Sequence, residues 1–105
     1  METRDYEIAK RFKERLSNAV QLIDFRVFGS RSRGRADEYS DLDVFIEVEY
    51  LDKTLEEKIY NIAWEVGFEN NIFISPLIFT RYEIEKSPLR VSPIVKNINE
   101  EGVKV

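Results

Sequence analysis

The chain has 105 residues, enough for one domain (1–105) around a single core, and its 43% apolar content is ordinary for a globular protein. A formal charge of −4 argues against direct nucleic-acid binding, and the absence of cysteine and histidine excludes disulfides, thiolate or imidazole metal sites and serine–histidine hydrolysis. No apolar run approaches membrane-spanning length and the N-terminus is charged, so no membrane contact and a cytoplasmic location are expected.

Residues 3–20 predict an amphipathic helix, with Ile8, Phe12, Leu16 and Val20 recurring at four-residue spacing among charged residues. Ile23 to Phe28 predicts a strand that runs into Gly29-Ser30. A basic loop, Arg31 to Ser40, follows, and Ser30 is placed to cap a short helical turn over 31–35. Residues 41–49 predict a second strand. Leu42, Val44, Ile46 and Val48 form its core face, while Asp41, Asp43, Phe45, Glu47 and Glu49 share the other, with Glu47 and Glu49 expected in solvent or against a partner. After a polar turn at 52–54, Thr54-Leu55-Glu56-Glu57 reads as a capping box for a helix running to Val66 and ended by Gly67. Its buried stripe is Leu55, Ile59, Ile62, Ala63 and Val66, and Tyr60 and Trp64 are expected to pack or to meet a partner.

Residues 72–80 predict a third strand. Pro76 lacks an N–H, so this strand belongs at an edge or carries a bulge. A turn or short helix begins at 81. Ser92-Pro93 then reads as the cap and first residue of a helix to Glu101, stopped by Gly102, and Val103 to Val105 offers a short edge strand.

The chemistry lies between 29 and 43. Alternation along a strand points Asp41 and Asp43 the same way, and two carboxylates about 5 Å apart repel by roughly 3 kcal/mol at an effective dielectric near 20. A cation between them, or a proton on one, relieves that repulsion. Mg²⁺ suits the pair because it takes carboxylate oxygens and keeps positions for substrate phosphates. Gly29 permits close backbone approach to a ligand, Gly34 permits positive φ, and Arg31, Arg33 and Arg35 add positive charge. Arg33 is the favoured phosphate contact, and Arg35 is expected to face solvent. A phosphate cradle beside a metal-binding carboxylate pair suggests phosphoryl or nucleotidyl transfer.

Gly29-Ser30, ten residues, then Asp41-Leu42-Asp43 resembles the GS…DxD signature of the DNA polymerase β nucleotidyltransferase superfamily. The short length and the run Ser40-Asp41-Leu42-Asp43 resemble the minimal nucleotidyltransferases, the antitoxins of MNT–HEPN toxin–antitoxin pairs, as does the helix-then-strand ending over 97–105. The resemblance implies an α+β (α/β) nucleotidyltransferase fold, a small mixed β-sheet with flanking helices. It implies nucleotide binding by Gly29, Ser30, Arg31 and Arg33, and Asp41 and Asp43 as catalytic residues holding Mg²⁺. It also implies transfer of AMP from ATP to a tyrosine of a HEPN toxin, within a hetero-oligomer. Superfamily members commonly carry a third carboxylate on the third strand. Here that strand offers Phe73 and Ser75, and Glu69 just before it is a remote candidate. A second reading follows from that gap: a weak or inactive transferase domain that neutralises its toxin by binding. Transfer to a small molecule is disfavoured because no substrate domain is expected in a chain of this length.

Overall fold

The computed structural model describes residues 1–105. Helix α1 (Thr3–Ala19) leads into strand β1 (Leu22–Phe28), the short helix α2 (Gly29–Ser32) and strand β2 (Leu42–Val48). Helix α3 (Lys53–Glu69) is followed by strand β3 (Ile74–Thr80), helix α4 (Arg81–Glu85), a single 3₁₀ turn (Pro88–Val91), helix α5 (Pro93–Glu101) and strand β4 (Val103–Lys104).

The four strands form one mixed sheet in the order β3-β2-β1-β4. β1 runs antiparallel to both β2 and β4, whereas β2 and β3 are parallel. A parallel pair needs a crossover, and α3 supplies it. Pro76 does lie in an edge strand, where the N–H it lacks costs no ladder bond.

Two apolar clusters hold the layers together. On one face, Leu42, Val44, Ile46 and Val48 of β2 meet Ile8, Phe12 and Leu16 of α1 and Ile59, Ala63 and Val66 of α3. Phe12 packs edge-on to Phe25 of β1 at 5.6 Å between ring centroids. On the other face, Phe45 and Phe79 pack against Val95 and Ile98 of α5. The sheet is thus covered on both sides, and β2, buried on both faces, is its centre.

Five local expectations change. The α3 cap is Asp52, whose carboxylate accepts from the Leu55 N–H at 2.8 Å, so the helix starts before Thr54. Gly67 does not end it. The helix continues two residues, because the missing Cβ makes room for the Ile72 carbonyl, which would lie 2.5 Å from it. Asn71, at φ 55°, makes the left-handed turn that stops the helix. The turn after β1 is a helix over 29–32 rather than 31–35, and β3 begins at Ile74 rather than 72. Glu49 is exposed as expected, but Glu47 is buried, because β1 and β3 flank β2 there.

Candidate active site

β1 and β2 bring the two halves of the motif together. Their antiparallel register sets Phe28 opposite Asp43, so the turn that leaves β1 meets the start of β2. Gly29 has φ 75°, which disfavours any side chain, and a Cβ there would sit 2.5 Å from Asp43 Oδ2. The Asp43 carboxylate therefore rests on the bare backbone of the Gly29-Ser30 turn. Partial burial pushes the Asp43 carboxyl above the usual carboxylate range, and the neighbouring Asp41 charge adds to it. Asp41 precedes the strand and is exposed.

The loop between these halves is tied down by Arg31. Its Nη1 donates to Asp5 Oδ1 and Oδ2 of α1 at 2.9 and 3.1 Å. Its Nε donates to the Ser40 carbonyl at 2.8 Å and its Nη2 to the Asp37 carbonyl at 3.2 Å. Arg31 and Asp5 are both buried, at 5% and 2% exposure. The Arg31 side chain is thus spent inside the protein, not presented to a phosphate as the sequence suggested. Its neighbour Ser32 donates to the Gly29 carbonyl at 2.6 Å, and Asp37 accepts from the Tyr39 N–H at 2.9 Å. Together these contacts set the course of the chain up to Asp41.

Arg33 is different. It lies at the surface, 3.1 Å from Glu101 Oε2 of α5, in a pair open to water on both sides. Such a pair contributes about 0–1 kcal/mol, so an anion can draw Arg33 away at little cost. Arg35 faces solvent, as expected.

The parallel register places Ser75 of β3 beside Asp43. The Phe73 carbonyl accepts from the Leu42 N–H at 2.8 Å, and the Phe73 ring is exposed. No group of three or more potential metal-ligating side chains exists. Glu69 is held at the end of α3 by Arg15 of α1, whose hydrogen bond lowers the Glu69 carboxyl. The site thus offers two carboxylates, Asp41 and Asp43.

Sequence reasoning missed Asp5, which was absorbed into the amphipathic pattern of α1. A signal existed: Asp5, Ile8, Phe12 and Leu16 follow one apolar stripe, and a carboxylate on such a stripe needs a buried cation. It also missed a groove of about 560 Å³ on the α3 and β3 side of Asp41, walled by Tyr39, Trp64, Phe68 and Phe73.

A glycine turn beneath one of two aspartates at the head of a central strand is an arrangement that suits a nucleotidyltransferase-type domain. The chain belongs to the nucleotidyltransferase domain family, whose model matches residues 6–105. It is 40% identical over 79 residues to a provisionally named protein adenylyltransferase of Methanocaldococcus jannaschii, covering 71% of this chain and 79% of that one. Two solved structures share the fold at a TM-score of 0.64. One, described as a provisional minimal nucleotidyltransferase, is 18% identical and matches 95% of this chain and 91% of its own. The other, described as a toxin–antitoxin with AMP-PNP, is 17% identical and matches 91% of this chain and 70% of its own. No helix is long and apolar enough to cross a membrane.

Proposed function

We propose that this nucleotidyltransferase transfers AMP from ATP to a tyrosine hydroxyl of a HEPN toxin, and that it acts in the cytoplasm as the antitoxin of that partner. The observation that carries the reading is the close approach of the Gly29 backbone and the Asp43 carboxylate, with Asp41 two positions before it. The name of the Methanocaldococcus jannaschii relative supports protein adenylylation, and that of the nucleotide-bound toxin–antitoxin structure supports the partner class.

The donor set fits one hard divalent cation. Two carboxylates lie within a three-residue stretch, and Asp43 is already burdened by the Asp41 charge. Asp41 and Asp43 would hold Mg²⁺, which would supply charge neutralisation at the phosphates. Gly29 and Ser30 form the turn that would carry the triphosphate, and the missing Cβ at 29 lets the Asp43 carboxylate lie close against it. Arg33 swings from Glu101 to the phosphates and balances charge there. Arg31 contributes by holding the loop, through Asp5. In the reaction the acceptor oxygen bonds to the α-phosphorus, the bond to the β-phosphate oxygen breaks, and pyrophosphate leaves. With both aspartates engaged by the cation, the hydroxyl proton leaves to water at the exposed mouth of the site beside Asp41.

Asp41→Asn and Asp43→Asn each keep the fold and remove transfer of label from α-labelled ATP to the HEPN partner, by at least about a hundredfold. Undiminished transfer by either variant contradicts the assignment. The missing third carboxylate favours the second reading, neutralisation by binding alone. Under that reading both variants still bind and silence the toxin, and the wild type transfers no label.

A further inference from the structure

We infer that the aromatic groove beside Asp41 docks the acceptor, as a polypeptide segment that presents a tyrosine between basic residues. The inference rests on the reading that the acceptor is a protein, and it deepens it by assigning the surface that recognises that protein.

Tyr60, Trp64 and Phe68 follow one another at four-residue spacing on the exposed side of α3, so their rings line a stripe about 12 Å long. Trp64 and Phe68 stack on each other, 5.2 Å between centroids and 10° between planes. Across the groove stand Tyr39, on the loop that leads to Asp41, and Phe73, at the entrance to β3. Trp64, Phe68 and Phe73 are 62%, 74% and 73% exposed. A contiguous patch of large exposed aromatics marks a recognition surface, and such rings dominate binding energy at interfaces.

The place of the groove in the sheet says what it receives. In the order β3-β2-β1, the aspartates of β2 lie between the Gly29-Ser30 turn on the β1 side and the groove on the β3 side. In-line displacement brings the attacking hydroxyl in opposite the leaving pyrophosphate. With the phosphates on the Gly29-Ser30 turn, the acceptor enters from the side of β3. The stripe is longer than one nucleobase needs, and the wall at Phe73 and Ile74 continues into β3, whose outer edge pairs with no strand. Both features suit an extended polypeptide. The only charged side chains lining the groove, Glu38 and Asp41, are acidic, and with Asp41 facing the cation, Glu38 is left to meet a basic flank on the occupant.

Trp64 is the chain's one tryptophan, so its emission reports on the groove directly. The probe is a synthetic peptide with one tyrosine between two lysines on each side, compared with the same peptide flanked by glutamates. The lysine peptide is expected to shift Trp64 emission and the glutamate peptide to do so at least roughly tenfold more weakly, whereas ATP with Mg²⁺ leaves the emission unchanged. Phe68→Ala and Phe73→Ala, at exposed positions, are expected to raise the KM for the lysine peptide or the HEPN partner roughly tenfold while ATP affinity stays the same. Weakened ATP binding with an unchanged acceptor KM would overturn the inference and make the groove a nucleobase site. No emission response to either peptide, with transfer to the partner undisturbed by both variants, would also overturn it and leave the proposed reaction standing. Selective binding of the lysine peptide without any AMP transfer would instead uphold the groove and sink the reaction.

Discussion

Arg31 and Asp5 show how one pair of side chains fixes a loop beside the candidate site. Both are buried, both are charged, and together they fasten the loop before Asp41 to α1. Breaking a buried ion pair on one side strands a charge and costs about 3–5 kcal/mol, whereas replacing both members with apolar groups is often neutral. Arg31→Met is therefore expected to lower unfolding free energy by that amount, measured in urea. The double variant Asp5→Leu/Arg31→Met is expected to regain most of the stability but not the transfer activity, since the carbonyls of Asp37 and Ser40 lose their donor. Full activity in the double variant would show that the loop needs no such fastening.

Glu47 belongs to the same scale. Burial pushes its carboxyl above the ordinary glutamate range, with the charges of Asp24 and Glu85 adding to the shift and Arg81 and Arg26 opposing it. A raised folded-state value means that, just above the ordinary range, the folded chain holds more protons than the unfolded one. Stability from this group is complete below the unfolded value and is lost as pH rises through the folded one. Glu47→Gln should then be more stable than the wild type at pH 7, with the advantage disappearing below the ordinary glutamate range. Thermal melts at several pH values check this, and a difference that does not vary with pH contradicts it.

At the scale of elements, α3 separates what a sequence shows from what packing decides. The apolar stripe of Ile59, Ala63 and Val66 was legible because a helical period is a local signal. The ends were not. Asp52 and Thr54 are both good caps, and it is the Asp52 carboxylate that accepts from the Leu55 N–H. Gly67 looks like a stop, yet it serves a close crossing by the Ile72 carbonyl, which no local pattern contains. Asp52→Ala should cost about 1 kcal/mol of stability, and Thr54→Ala clearly less. Equal losses in denaturant titrations would restore the cap to Thr54. The cap at Ser92, with Pro93 following, was legible because both signals lie in two adjacent residues.

The whole molecule joins distant parts of the chain at one end of the sheet. The Gly29-Ser30 turn and the two aspartates were readable as a unit, since a single strand pairing brings them together. The buried Asp5–Arg31 pair was not, because it links α1 to the loop across 26 positions. Nor was the groove, which exists only once the α3 crossover sets β3 parallel to β2. The same register explains why Ser75, and not a carboxylate, stands beside Asp43, so the account requires that two aspartates suffice for transfer. The most direct test is intact-mass analysis of this chain and the proposed HEPN partner after incubation with ATP and Mg²⁺. The account predicts the mass of one AMP added to the partner, lost when Asp43 is replaced by asparagine. A partner of unchanged mass, held in a stable complex with this chain, would contradict it.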